Sequence, residues 1–183
     1  HNRVDTLSPN NGGVAKSKNL PGGRYYVKEV SAPSGYLLDG TIYTVDVTNG
    51  NSSELNGGGH VIAQGGQSNL YNIRSTSVTV TKVWSDDSGD SQDDITVVLT
   101  GMTNASDKET TKITRQATFG KTENWSYTFT QLPETDLTAN TYSYTVAEPV
   151  VPEAYSASVD GYTITNTLRN GSVTVTKTLR GYN

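Results

Sequence analysis

Six residues occur twice in this chain: Ser-Val-Thr-Val-Thr-Lys fills positions 77–82 and again positions 172–177. Apolar and polar residues alternate within each copy, the pattern of a β-strand with one face toward a core and the other toward water. The lysine falls on the apolar side. Val78, Val80, Lys82 and Trp84 share one parity, and Val173, Val175, Lys177 and Leu179 repeat the arrangement. The two lysines lie 95 positions apart, the length of one ordinary β-sandwich. An asparagine precedes each copy at a similar distance: Asn72 in Leu-Tyr-Asn-Ile and Asn166 in Ile-Thr-Asn-Thr. A further echo pairs Tyr-Tyr-Val-Lys-Glu-Val at 25–30 with Tyr-Ser-Tyr-Thr-Val-Ala-Glu-Pro at 142–149.

The period divides the chain. Residues 75–169 read as one complete domain and residues 1–74 as the rear part of a preceding one. Residues 170–183 read as the first strand of a following domain, or a strand donated to another copy. Alternation predicts strands at 77–84, 94–100, 111–118, 124–130, 141–148 and 161–168, with no segment of helical period. The fold class expected is all-β, in tandem immunoglobulin-like sandwiches. Thr, Val and Tyr fit the pleated, half-buried surface such a fold needs. The junction Arg74–Thr76 is too short for a flexible linker, so neighbouring domains are expected to stack as a stiff rod. The Gly-rich 57–66 stretch lengthens the front fragment, and its structure is not legible from sequence.

Several function classes fall away on composition. Net charge is −4, with 14 basic residues and no basic stripe, so nucleic acid is not an expected partner. No apolar run approaches a bilayer span. The chain starts at His1 with no signal peptide, which reads as a mature or cut fragment. There is no cysteine, which removes disulfides and thiol catalysis. With His1 and His60 the only histidines, no metal, cofactor or catalytic triad is expected. The acidic loop 85–93 lacks the spacing of a calcium-binding hand. Leu-Pro-Glu-Thr-Asp at 132–136 resembles a sortase signal but sits inside a domain, and reads as a turn. A small β protein outside the cell still needs a staple.

Strand parity suggests one. Glu148 shares a face with Tyr142, Tyr144 and Val146, and Asn166 shares one with Tyr162, Ile164 and Leu168. Lys82, Glu148 and Asn166 therefore all point toward one core. Two readings account for this. One is a buried salt bridge beside a hydrogen-bonded amide, or a lysine that snorkels outward. The other is covalent. Burial disfavours the charged forms of an amine and a carboxyl alike. A neutral Lys82 amine can then attack the Asn166 carboxamide while protonated Glu148 polarises the carbonyl and relays a proton to departing ammonia.

These words resemble the Cna B-type domains of Gram-positive pilins and adhesins. The matching segments are Val-Thr-Val-Thr-Lys-Val-Trp, then the acid in Tyr-Thr-Val-Ala-Glu-Pro, then Tyr-Thr-Ile-Thr-Asn-Thr. The front fragment is similar to the related pilin subtype through Gly-Arg-Tyr-Tyr-Val-Lys-Glu-Val-Ser-Ala-Pro-Ser-Gly-Tyr at 23–36. The resemblance implies an autocatalytic isopeptide bond joining first and last strands, through Lys82, Glu148 and Asn166. In the front fragment it maps the acid to Glu29 and the amide to Asn72, with Asn69 the weaker candidate. No upstream strand supplies a lysine there, since Lys16 and Lys18 are misplaced. Lys177 of another copy is the donor that strand exchange would bring. The expected function is a structural stalk or pilus-fibre module, extracellular and attached to the cell wall or a pilus, with no turnover enzyme activity. Its expected partners are neighbouring copies or domains of the same surface protein. The alternative is an adhesin module that binds host extracellular matrix or glycan through Tyr-rich loops.

Overall fold

The computed structural model describes residues 2–48, 51–53, 55–56, 61–64, 67–86, 89, 92–104, 112–178 and 181. The Gly-rich stretch apart from 61–64, and Leu179, lie outside these residues. The chain forms two compact units that divide between Ser75 and Thr76.

In the front unit, β1 (Gly23–Lys28), β2 (Ile42–Thr48) and β3 (Asn51–Ser52) make an antiparallel sheet, and β4 (Val61–Gln64) pairs with β5 (Gln67–Leu70). Tyr43 on β2 is the buried aromatic anchor. The segment carrying Asn72 runs antiparallel to the one after β1: Tyr36 bridges Arg74, and the Leu37 N–H bonds the Ile73 carbonyl at 2.8 Å.

The rear unit contains β6 (Ser75–Trp84), β7 (Ile95–Thr103), β8 (Lys112–Phe119), β9 (Ser126–Pro133), β10 (Tyr142–Ala147), β11 (Tyr155–Asp160) and β12 (Thr163–Leu168). One sheet runs β11-β12-β6-β9 and the other β10-β7-β8. All seven strands contribute to one apolar cluster, from Val78 and Val80 on β6 through Val97 and Leu99 on β7 to Ile164 on β12. The expected β-sandwich is thus present, and β6 buries the predicted parity through its length. On β12 that face is shorter than alternation implied, because Tyr162 and Leu168 are exposed at its ends. First and last strands lie side by side in parallel, with Ile164 opposite Lys82 and Asn166 opposite Trp84.

Three departures stand out. β11 was not predicted: only Tyr155 of its six residues is buried, so its sequence carries little apolar signal. Leu132 and Pro133 end β9, with Leu132 fully buried, and the turn proper follows them. There the Asn140 side-chain amide, and then the backbone N–H groups of Asn140 and Thr138, donate to Asp136 and hold its pKa low. Residues 170–178, the second copy of the repeat, form no strand in the single chain and are exposed.

Candidate cross-link site

Strand geometry brings the three rear residues together. β6 and β12 are hydrogen-bonded neighbours in one sheet, and Glu148 follows directly on β10 in the other. Lys82 is 3% exposed, Glu148 8% and Asn166 0%. The Lys82 Nζ lies 3.5 Å from Glu148 Oε2, and the Asn166 amide nitrogen donates to Glu148 Oε1 at 3.3 Å. A second contact from Lys82 Nζ reaches the Val83 carbonyl at 3.3 Å. The carboxylate thus touches both the amine and the amide.

These contacts are loose for a group so enclosed. Glu148 Oε2 and Asn166 Oδ1 are buried without a hydrogen bond. An unsatisfied buried polar atom costs about 1–3 kcal/mol, and more when the group is charged. Burial lowers the Lys82 pKa from its ordinary value, and the nearby Glu148 charge only partly offsets that. Burial thus favours the uncharged amine, the form that can act as a nucleophile. The Lys82 Nζ also lies over the Trp84 indole, 4.4 Å from the ring centroid.

The front residues form a related but incomplete group. The Asn72 amide nitrogen donates to both oxygens of Glu29 at 2.9 Å and to the Leu37 carbonyl at 3.0 Å. Glu29 also accepts the Asp39 N–H at 2.7 Å, while Asp39 accepts the Tyr43 hydroxyl. Burial first, and then that hydrogen bond, push the Tyr43 pKa up to about 12. The 43 residues separating Glu29 from Asn72 close a loop without preventing the contact. Among the described residues, no lysine lies in an ion pair with Glu29. Lys16, Lys18 and Lys28 are exposed, and Asn69 is exposed on β5. Lys177 sits in the exposed tail.

Reading the sequence missed the aromatic residues around Lys82. Parity places Trp84 in the core, but no sequence pattern links Trp125 or Tyr155 to the lysine. The available signal is parity: Trp125 shares a face with Tyr127 and Phe129 of the strand predicted at 124–130.

Comparison with known proteins agrees with this division. Residues 78–167 match the Cna protein B-type domain, and residues 1–59 match the SpaA prealbumin-like fold domain. The rear unit is thus similar to Cna protein B-type domains and the front unit to SpaA prealbumin-like domains. No curated protein matches it. Among solved structures, it is similar to a single B repeat unit of the collagen-binding surface protein of Staphylococcus aureus. That match has 20% identity and a TM-score of 0.40, covering 73% of this chain and 67% of that one. The pilus adhesin SpaC of Lactobacillus rhamnosus GG matches at 18% identity and a TM-score of 0.39 over 73% of this chain, which spans 16% of the adhesin. A C-terminal fragment of that adhesin matches at 18% identity over 88% of this chain and 81% of the fragment, with a TM-score of 0.27.

Proposed function

We propose that this chain is a stalk module of an extracellular bacterial surface protein or pilus, stapled by an isopeptide bond between Lys82 and Asn166. The observation that carries the reading is the convergence of a buried amine, carboxyl and carboxamide on adjoining strands. The neutral Lys82 amine attacks Cγ of Asn166. Protonated Glu148 donates to the carboxamide oxygen and then passes a proton to the departing nitrogen. One N–C bond forms, one breaks, and one ammonia leaves. The product amide cannot be protonated to an ammonium, so Lys82 no longer risks a buried charge.

The mechanical consequence follows from topology. A bond between first and last strands carries tension across the domain without drawing on the strands between them. Unfolding cannot then fully extend the chain, which raises kinetic resistance. The test is intact mass under denaturing conditions. We expect a value about 17 Da below the sequence mass, one ammonia per bond. An unshifted mass would remove the covalent reading and leave an ordinary buried ion pair.

The Glu29–Asn72 contact favours a second, smaller reading: the front unit holds the acid and amide of another such site. Lys177 of a second copy is the proposed donor, because its six-residue segment duplicates the one bearing Lys82. Denaturing electrophoresis separates this from simple adjacency in a longer array. Covalent oligomers lost in Lys177→Ala support it, and monomers without a Lys177–Asn72 cross-linked peptide refute it.

A further inference from the structure

The aromatic group around Lys82 is built at a cost that core packing alone does not explain. Trp84 meets Trp125 edge to face at 5.4 Å and Tyr155 edge to face at 4.9 Å. Tyr155 is anchored in turn: its hydroxyl donates to Asp86 at 2.9 Å and accepts from the Gln92 amide at 3.2 Å. Trp125 sits in a strained turn. It has φ 54° and follows Asn124 at φ 52°. Asparagine tolerates that conformation, but for a tryptophan it is a genuine outlier. The same strained residue accepts the Lys82 backbone N–H through its carbonyl at 2.8 Å. Gly89 lies against both tryptophans. A Cβ at Gly89 would lie 3.0 Å from both Trp84 and Trp125, so a larger residue there would push against both rings.

We infer that Trp84, clamped by Trp125 and by Tyr155 anchored to Asp86, is a positioning residue for the cross-linking reaction. Its ring face directs the Lys82 amine toward Glu148 and Asn166 and closes the amine end of the site to water. The inference rests on the cross-link proposed above. A flexible lysine stem has many rotamers, and the reaction needs the one that brings Nζ to the carboxamide carbon. The ring offers the amine a face that attracts the ammonium and still packs against the neutral form. Groups facing the amine are thus Glu148, the Val83 carbonyl and this ring, with Tyr155 and Asp86 behind it.

The test starts from full-length chain recovered unreacted from a denatured, insoluble fraction. Refolding by dilution is followed by circular dichroism, and the loss of about 17 Da by intact mass, over a range of pH. For Trp84→Leu we expect refolding with cross-linking slowed by about tenfold or more, since small misplacements of reacting atoms can cost ~100-fold. Its acid limb should move to lower pH, because the ammonium loses a favourable contact. Trp84→Phe, which keeps a ring face, should recover most of the rate, and Tyr155→Phe should fall between. A merely structural role would lower stability without moving the acid limb. If Trp84→Leu refolds and reacts at the parent rate with an unmoved limb, the positioning role is wrong. If it fails to refold, Tyr155→Phe decides, and an unchanged rate there overturns the inference. If the parent chain itself loses no mass, the cross-link reading falls and this one with it.

Discussion

The chain contains two acid–amide pairs built from the same residue types in different surroundings. Glu148 and Asn166 are sealed in a core with a lysine, and their contacts are long, at 3.3 and 3.5 Å. Glu29 and Asn72 are only part-buried, have no lysine beside them among the described residues, and make short hydrogen bonds at 2.9 Å. The front pair is well satisfied as a hydrogen-bonded structure. The rear trio is poorly satisfied, with two buried polar atoms lacking hydrogen bonds. On the proposed cross-link, the unsatisfied site is the reactive one, because its ground state is costly and forming the amide would relieve that cost.

The largest expected effect comes from breaking the rear trio. Asn166→Ala removes a reactant, and Glu148→Gln removes the proton relay while keeping the shape. Both should abolish the mass loss, and calorimetry should show a much lower melting temperature than the parent. A closed loop on the order of 80 residues stabilises by roughly 4–5 kcal/mol in the chain-entropy account. Glu29→Gln should leave the mass loss intact. A cross-link that survived Glu148→Gln would mean the two carboxylates differ less than their surroundings suggest.

The second effect concerns pH. In Asn166→Ala the Lys82 amine stays free and buried, and burial holds its pKa below the ordinary 10.5. The unfolded chain then binds more protons than the fold between the lowered value and 10.5, so stability rises with pH across that window. At lower pH the fold must carry a buried ammonium. If the parent's amine is consumed in the proposed amide, the parent lacks this rise. The comparison should be read as the difference between variant and parent, because Tyr43 and Tyr144, both pushed up to about 12 by burial, oppose it at the alkaline end in both chains. Denaturant midpoints at several pH values supply the measurement, and parallel curves would refute a buried free amine.

Much of the rear unit was legible because its strands bury one face against a single core. β6 is the clearest case, since Val78, Val80, Lys82 and Trp84 are all inside. The trio followed from parity alone, though the choice between ion pair and cross-link did not. What escaped notice has physical reasons. β11 lies at a sheet edge with five exposed residues, so no alternation marks it. The aromatic clamp depends on positive φ at Trp125, which no residue pattern announces. In the front unit, Glu29 and Asn72 were paired by analogy with the rear, but the Asp39–Tyr43 support behind them was not foreseen.

A smaller effect is expected from that support. Glu29→Gln removes a charge that accepts three hydrogen bonds from Asn72 and the Asp39 N–H. Hydrogen bonds to a charged group contribute about 1.5–3 kcal/mol, and a neutral amide recovers part of it. We expect a loss of about 1 kcal/mol, confined to the front unit and visible as faster amide hydrogen exchange around Leu37 and Ile73. Equal loosening of both units would contradict their separation.

The smallest effect tests the repeat itself, where identical residues have unlike environments. Val78 and Val80 are 4% and 0% exposed, whereas Val173 and Val175 are 89% and 84% exposed. Val80→Asp should unfold the rear unit, because an unpaired charge in that core costs several kcal/mol. Val175→Asp should change the stability of either unit by no more than roughly 0.5 kcal/mol, the range for surface sites. That difference holds for one chain alone. If segments 172–177 add to the front units of other copies, the parent chain should gain stability as concentration rises, by mass action. Val175→Asp would then cancel that gain while leaving dilute samples unaffected. Melting curves over a hundredfold concentration range distinguish the cases. Coincident curves for parent and variant mean that the second copy of the repeat has no partner in this chain's own surface, and that Lys177 does not reach Asn72.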